Sequence, residues 1–251
     1  MTEVVAGGGR AAAPRPGSPG VLEPIGLLDG IATTRAIRRF RPDPVTDEQL
    51  ATILFAASRA PSGSNRQPFR FLVLRDGPTA VAAKAALGRA ARGMWGTKRA
   101  TDVYDEGSGA EQDSPKARMA RSMQQFVDHF DEVPAVILAA LVRYRDPNPS
   151  EGGSVYPACQ NLLLAARAVG LGGVLTGFHS LVEPELRELL AIPDGAALHA
   201  TIALGRPAGG HGPVRRRPLR ELVYEGRWGT PPSWAVDPPG TRFAGAGPPA
   251  G

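Results

Sequence analysis

Cysteine is almost missing: Cys159 stands alone among 251 residues. That excludes an internal disulfide and any cysteine-based metal site. Long apolar runs are missing too. No stretch of about 18 apolar residues occurs, so no membrane-spanning helix is expected. The opening MTEVVAGGGRAAAPRPGSPG lacks the apolar core of a secretory signal, and a cytoplasmic location is the expectation. Aromatic residues make up only 6%, and the basic residues form no single long run. Both facts weigh against a nucleic-acid-binding module, which stacks bases on aromatic rings along a basic track.

Familiar catalytic signatures are missing as well. There is no Walker A run and no G-x-S-x-G elbow. GLGGVLTG resembles a dinucleotide fingerprint at Gly170 and Gly172, but Leu175 occupies the place of the third glycine. Those glycines also follow a helical pattern, where the fingerprint follows a strand. The four histidines, His129, His179, His199 and His211, show no metal-binding spacing. Cys159 sits on an apolar helical pattern with no neighbouring base, which suits a buried small side chain. No catalytic side chain and no metal site are expected. If the chain is an enzyme, a bound cofactor carries the chemistry.

What is present is a globular middle between two Gly-, Ala- and Pro-rich ends. Apolar residues reach 42%, enough for one core. Residues 1–24 and 230–251 read as disordered or extended tails around one domain at 25–229. The formal charge of +5 calls for an anionic partner unless it only reflects an arginine-rich composition. Its basic residues gather at TRAIRRFR and VRRRPLR, far apart in the chain. Two distant clusters suit a single bound phosphate better than a duplex backbone.

VTDEQLATILFAASRA is the clearest helix. Thr46 and Gln49 have the spacing of a capping box, and Leu50, Ile53, Leu54 and Ala57 share one face. FRFLVLRD reads as a strand, PTAVAAKAALGRAARGMW and KARMARSMQQFVDHF as helices, and PAVILAALVRY as a buried strand. SVYPACQNLLLAARAVGLG is apolar most of the way round and predicts a central, fully covered helix. GVLTGF, EPELRELLAI and HATIALGRP follow as short strand or loop, amphipathic helix and final strand. Residues 97–115 are weakly patterned and read as a mobile loop or lid. Helices and strands mix without regular βαβ alternation, so the fold class is α+β, with helices around one sheet.

Between the first clear helix and the first strand lies APSGSNRQP, Ala60–Pro68. Its prolines, glycine, serines and amides exceed what a simple turn needs. With its neighbours it is similar to a known pattern. TRAIRRFRPDPVTDEQLATILFAASRAPSGSNRQPFRFLVL, ACQNLLLAARAVGLGGVLTG and IALGRPAGGHGPVRRRPLRELVYEGRWG occur in the order found in the FMN-dependent nitroreductase family, over most of residues 32–229.

The resemblance implies a mostly antiparallel sheet surrounded by helices, in a domain-entwined homodimer with FMN at the subunit interface. It implies NADH or NADPH as donor and a ping-pong transfer to a small-molecule acceptor: a nitroaromatic, a quinone or another conjugated compound. The flavin would carry the chemistry. Arg35, Arg38, Arg215 and Arg217 match the family's basic positions, and arginine forks suit phosphate oxygens. Pro61, Ser62, Gly63, Asn65 and Gln67 match its loop, where small and amide-bearing side chains meet a planar ring with donor and acceptor edges. Thr176 and Gly177 match its turn near the reacting flavin nitrogen. Arg39 and Arg41 read as solvated surface charges. The chain departs from the family at Thr34, where many members carry arginine, and at Ala36, where many carry serine. More of the phosphate binding then falls on Arg35 and the C-terminal arginines. The resemblance is also compatible with another flavin reaction of the superfamily, or with a flavin-storing or flavin-sensing protein that does not turn over.

Overall fold

The computed structural model describes residues 25–242; the expected tail at 1–24 and the last part of the other, 243–251, lie outside the described residues. The chain begins with α1 (Leu27–Thr33), crosses a basic extended segment and enters α2 (Asp47–Ser58). The capping box forms as spaced: Thr46 Oγ1 accepts the Gln49 N–H at 3.3 Å, and Gln49 Oε1 accepts the Thr46 N–H at 3.1 Å. β1 (Phe69–Leu74), α3 (Pro78–Thr101), α4 (Pro115–Asp128), β2 (Ala135–Val142), α5 (Tyr156–Ala168), β3 (Gly172–Thr176), α6 (Glu183–Leu190) and β4 (Ala196–Gly205) follow.

The strands form one sheet in the order β1-β2-β4-β3, every neighbouring pair antiparallel. β2 is apolar on both sides because both faces of the sheet are covered. Val136, Leu138 and Ala140 pack with α3, α4 and α6 around Trp95, Phe126, Phe130 and Phe178. Ala135, Ile137, Ala139 and Leu141 point the other way, to Ile53 of α2 and Leu162 of α5. The alternation is the pleat itself, which sends successive side chains to opposite faces.

Two expectations need correction. α5 is not covered all round within one chain: Ala158, Cys159, Leu162 and Ala166 are buried, while Tyr156, Gln160 and Ala168 are exposed. It lies in an outer layer beside α2, so its far side faces outward. The weakly patterned segment begins later than residue 97, because α3 runs on through Thr101. Ion pairs of Lys98 with Asp102 and of Arg99 with Asp105 hold this last turn and the bend after it, and Trp95 packs on Tyr104 at 5.1 Å. Val103, at φ 47°, breaks the helical path. Residues 230–242 form no helix or strand, yet Ala235 is buried and the Asp237 carboxylate accepts the Leu219 N–H at 3.1 and 3.3 Å.

Candidate functional site

The arginines of the basic segment sit at one end of the sheet. Ile37 N–H donates to Gly173 O at 3.0 Å and Arg41 N–H to Arg206 O at 2.8 Å, so residues 37–41 run past the start of β3 and the end of β4. Arg35 donates to Gly210 O at 3.1 Å. A cleft of about 610 Å³ opens between this segment and α4, lined by Arg35, Arg38, Arg39, Arg118 and Arg215 and by no carboxylate. A second cleft of about 510 Å³ shares Arg38 and Arg39 and extends the first along α4 towards Phe126 and His129.

Arg38 is half-buried, and loss of water pushes its pKa down, with Tyr104 acting in the opposite direction. It forms no ion pair among the described residues. A guanidinium taken partly out of water without a counter-charge is poised for an anion. Arg217 lies two residues beyond Arg215, with its side chain exposed. Arg118 was not evident from sequence, because one arginine on an amphipathic helix carries no signal of its own. Arg39, expected as a solvated surface charge, is exposed and lines both clefts. Arg41 pairs with Asp43 at 2.9 Å.

The loop Ala60–Pro68 lies elsewhere. Val142 N–H donates to Pro68 O at 2.8 Å and Arg143 N–H to Gly195 O at 2.7 Å, which puts the loop level with the start of β4. The whole of β4 therefore separates it from the arginines, on the order of 30 Å at the usual rise of a strand. Ser64, Asn65 and Gln67 all have positive φ, at 51°, 52° and 49°. That left-handed backbone costs about 1 kcal/mol or more per non-glycine residue, and such clusters gather at functional loops. Local bonds hold it: Gln67 N–H to Ser62 Oγ at 2.9 Å, Gln67 Nε2 to Asn65 Oδ1 at 3.1 Å, and Gly63 N–H to Ser154 Oγ at 3.3 Å. Pro61, Gly63, Asn65 and Gln67 remain exposed, while Ser62 is half-buried.

Thr176 ends β3 opposite Thr201, about midway along β4, and its hydroxyl donates to Thr201 O at 3.1 Å. Gly177 follows, exposed. Within one chain the structure brings together Arg35, Arg38 and Arg215. It does not bring Pro61, Ser62, Gly63, Asn65 or Gln67 to them. The two groups still fit the two ends of a flavin mononucleotide: carboxylate-free guanidiniums suit its phosphate, and a strained loop with outward amides suits a ring edge.

Burial pushes the Cys159 thiol up to about 11, which leaves it protonated and unreactive. Among the described residues no group of three His, Cys, Asp or Glu side chains could hold a metal, and no helix is long and apolar enough to cross a membrane.

Comparison with known proteins gives the family and the fold. The model of the Nitroreductase family matches residues 31–206. An NADH dehydrogenase of Thermus thermophilus is 34% identical over 206 residues, covering 75% of this chain and 90% of its own. A Desulfovibrio desulfuricans protein assigned as a nitroreductase and solved in complex with FMN is 31% identical, with a TM-score of 0.57 over 80% of this chain and 96% of its own. The NADPH:FMN oxidoreductase of Vibrio harveyi, solved with NAD+, shares the fold at 21% identity, with a TM-score of 0.59 over 80% of this chain and 77% of its own.

Proposed function

The chain belongs to the nitroreductase family, and on that premise we propose that it is an FMN-dependent NAD(P)H oxidoreductase working by a ping-pong cycle on nitroaromatic, quinone-like or other conjugated acceptors. Its FMN supplies a two-electron carrier that takes a hydride from the donor and later reduces the acceptor. One observation carries the reading. The chain has a carboxylate-free arginine cleft and an exposed amide loop, each fitted to one end of the flavin, at opposite ends of its sheet.

The site is then built from two copies of the chain, the arginine cleft of one meeting the loop of the other. Exposed apolar groups support a homodimer: Leu27 is 72% exposed, Leu28 79% and Phe55 65%, and the outer side of α5 lies open nearby. Such groups together mark a surface that a partner covers.

Arg35, Arg38 and Arg215 hold the phosphate, with Arg217 close behind. Of these the half-buried Arg38 is the one suited to face, instead of the phosphate, the ring edge on which negative charge grows during reduction. Ser62, Asn65 and Gln67, with the backbone of Pro61 and Gly63, hold the other edge of the ring. Thr176, locked to Thr201, fixes where the Gly177 backbone meets the reacting nitrogen. No side chain of the chain itself needs to act as nucleophile or base.

Anaerobic titration of the purified protein tests this. Bleaching of a yellow flavin by NADH or NADPH, then reoxidation by a nitroaromatic or a quinone, is the expected result. A colourless protein that takes up no FMN refutes the reading. A flavin that neither donor bleaches favours a storage or sensing role.

A further inference from the structure

We propose that Glu151 is a positioning residue for the flavin: clamped by Arg143, it fixes the short turn from which Ser154 holds the loop that meets the ring. This rests on the reading of that loop given above and adds the residues that keep it in place.

Glu151 opens a 3₁₀ turn, Glu151–Ser154, that leads into α5. Arg143, the first residue after β2, grips its carboxylate with two bonds, Nη2 to Oε1 at 2.8 Å and Nε to Oε2 at 3.1 Å. A forked pair of this kind fixes direction as well as distance. The Glu151 side chain is only 16% exposed, and the Arg143 bonds hold its pKa below the ordinary value against the opposing effect of burial. His199 closes the other side. It is the extra residue of a bulge in β4, where Ala139 and Ala140 of β2 face Ala200 and Leu198. Its Nε2 lies 3.7 Å from Glu151 Oε1, too far for a hydrogen bond, and has no other partner among the described residues. The ring therefore shields the carboxylate and leaves it to Arg143.

The clamped turn reaches the loop through its last residue, where Ser154 Oγ accepts the Gly63 N–H at 3.3 Å. The other end of the loop is held from the same place: Val142, which precedes Arg143, donates its N–H to Pro68 O at 2.8 Å. Ser64, Asn65 and Gln67, the three residues at positive φ, lie between these two anchors. Left-handed backbone persists at non-glycine residues only where the surroundings impose it. Freeing the Gly63 anchor lets that segment relax, and Asn65 and Gln67 leave the places in which they meet the ring. Glu151 itself bonds to Arg143 and not to the loop, so it acts through Ser154.

The test is a double-mutant cycle on flavin affinity: wild type, Glu151→Gln, Ser154→Ala and the double variant, titrated with FMN and with riboflavin, each shown to be folded by a thermal melt. Glutamine keeps the shape of Glu151 but gives up the charge and one of the two parallel bonds. Should Glu151→Gln not fold, Arg143→Lys, which keeps a charge and gives up the fork, takes its place in the cycle. Each single variant is expected to bind FMN about five- to tenfold more weakly, the effect of one good hydrogen bond. The double variant should bind no more weakly than the poorer single one, because the two residues work along one line. Riboflavin, which lacks the phosphate, should lose affinity by the same factors, since the loop meets the ring. Multiplied losses, roughly 25- to 100-fold in the double variant, would mark two independent effects and overturn the proposal. Unchanged FMN affinity in either single variant, or a loss seen with FMN but not with riboflavin, overturns it as well. Asn65→Ala separates the proposal from the reading beneath it. Weakened FMN binding by Asn65→Ala with Glu151→Gln unchanged overturns the positioning role alone. Full affinity in Asn65→Ala removes the loop from the flavin site and the proposal with it.

Discussion

Ser62 Oγ accepts the backbone N–H of Gln67 at 2.9 Å and so ties together the two ends of a loop that holds three non-glycine residues at positive φ. The bond holds a backbone shape that the chain would otherwise leave. Ser62→Ala removes it without touching the sheet. A lost hydrogen bond of about 1 kcal/mol corresponds to roughly a five- to tenfold fall in FMN affinity if the loop holds the ring edge. Thermal stability should change little. Fluorescence titration with FMN reads the effect, and unchanged affinity would remove the loop from the flavin site.

The separation of loop and arginines leads to a complementation test. Arg215→Ala damages the cleft, and Asn65→Ala damages the loop. If each flavin site takes its cleft from one copy and its loop from the other, a mixed dimer has one fully native site and one doubly damaged site. Dissociating and reassociating the two variants together should restore FMN binding that neither has alone. If each copy holds its own flavin, mixing restores nothing.

Much of the fold was legible in local pattern. Thr46 and Gln49 announced their capping box, and β2 announced its burial by unbroken apolarity. α5 was not legible in the same way. Its apolar girth says that most of its surface is to be covered, and no local pattern says whether the same chain does the covering. The site divides along the same line. Arg35 and Gln67 were singled out by the family resemblance of their segments, but their separation depends on the strand register, a long-range property. Arg118 joins the cleft only because α4 packs beside the basic segment.

Stability should fall with pH in the range where histidine titrates. Burial is the largest cause holding the pKa of His179, His199 and His211 below the ordinary 6.5, although Glu183 near His179, and Glu151 and Glu183 near His199, pull the other way. The folded state keeps these rings neutral while the unfolded chain takes up protons first. Their contribution is therefore complete above about pH 6.5 and is lost as pH falls through the depressed folded values. Glu151, held low by Arg143, weakens only in the lower range where carboxylates titrate, below its ordinary 4.5. The melting temperature should drop between about pH 7 and 5. His179→Gln should be less stable at pH 7 and show a shallower slope. A flat wild-type profile over that range would contradict the assignment.

Two glycines of the motif GLGGVLTG, Gly173 inside it and Gly177 at its end, do different work, and alanine separates them. A Cβ on Gly173 would sit 2.7 Å from the carbonyl oxygen of Ala203 and 3.0 Å from Leu163 Cδ2. Ala203 is the strand partner of Val174, so its carbonyl is part of the sheet and cannot step aside. Gly173→Ala should destabilise by about 1–3 kcal/mol, the usual effect of overpacking, and lower the melting temperature by several degrees. A Cβ on Gly177 meets nothing within 4 Å, and φ there is −103°, a value any residue adopts. Gly177→Ala should fold and melt like the wild type. If backbone at that turn meets the flavin closely, the added methyl has no room once the cofactor is bound, and FMN affinity or the rate of bleaching by donor should fall at unchanged stability. Thermal melts of both variants, each with and without FMN, decide the matter. Equal destabilisation of the two would mean that the turn, like the strand, is closed by packing within the chain, and Gly177 would lose its place beside the cofactor.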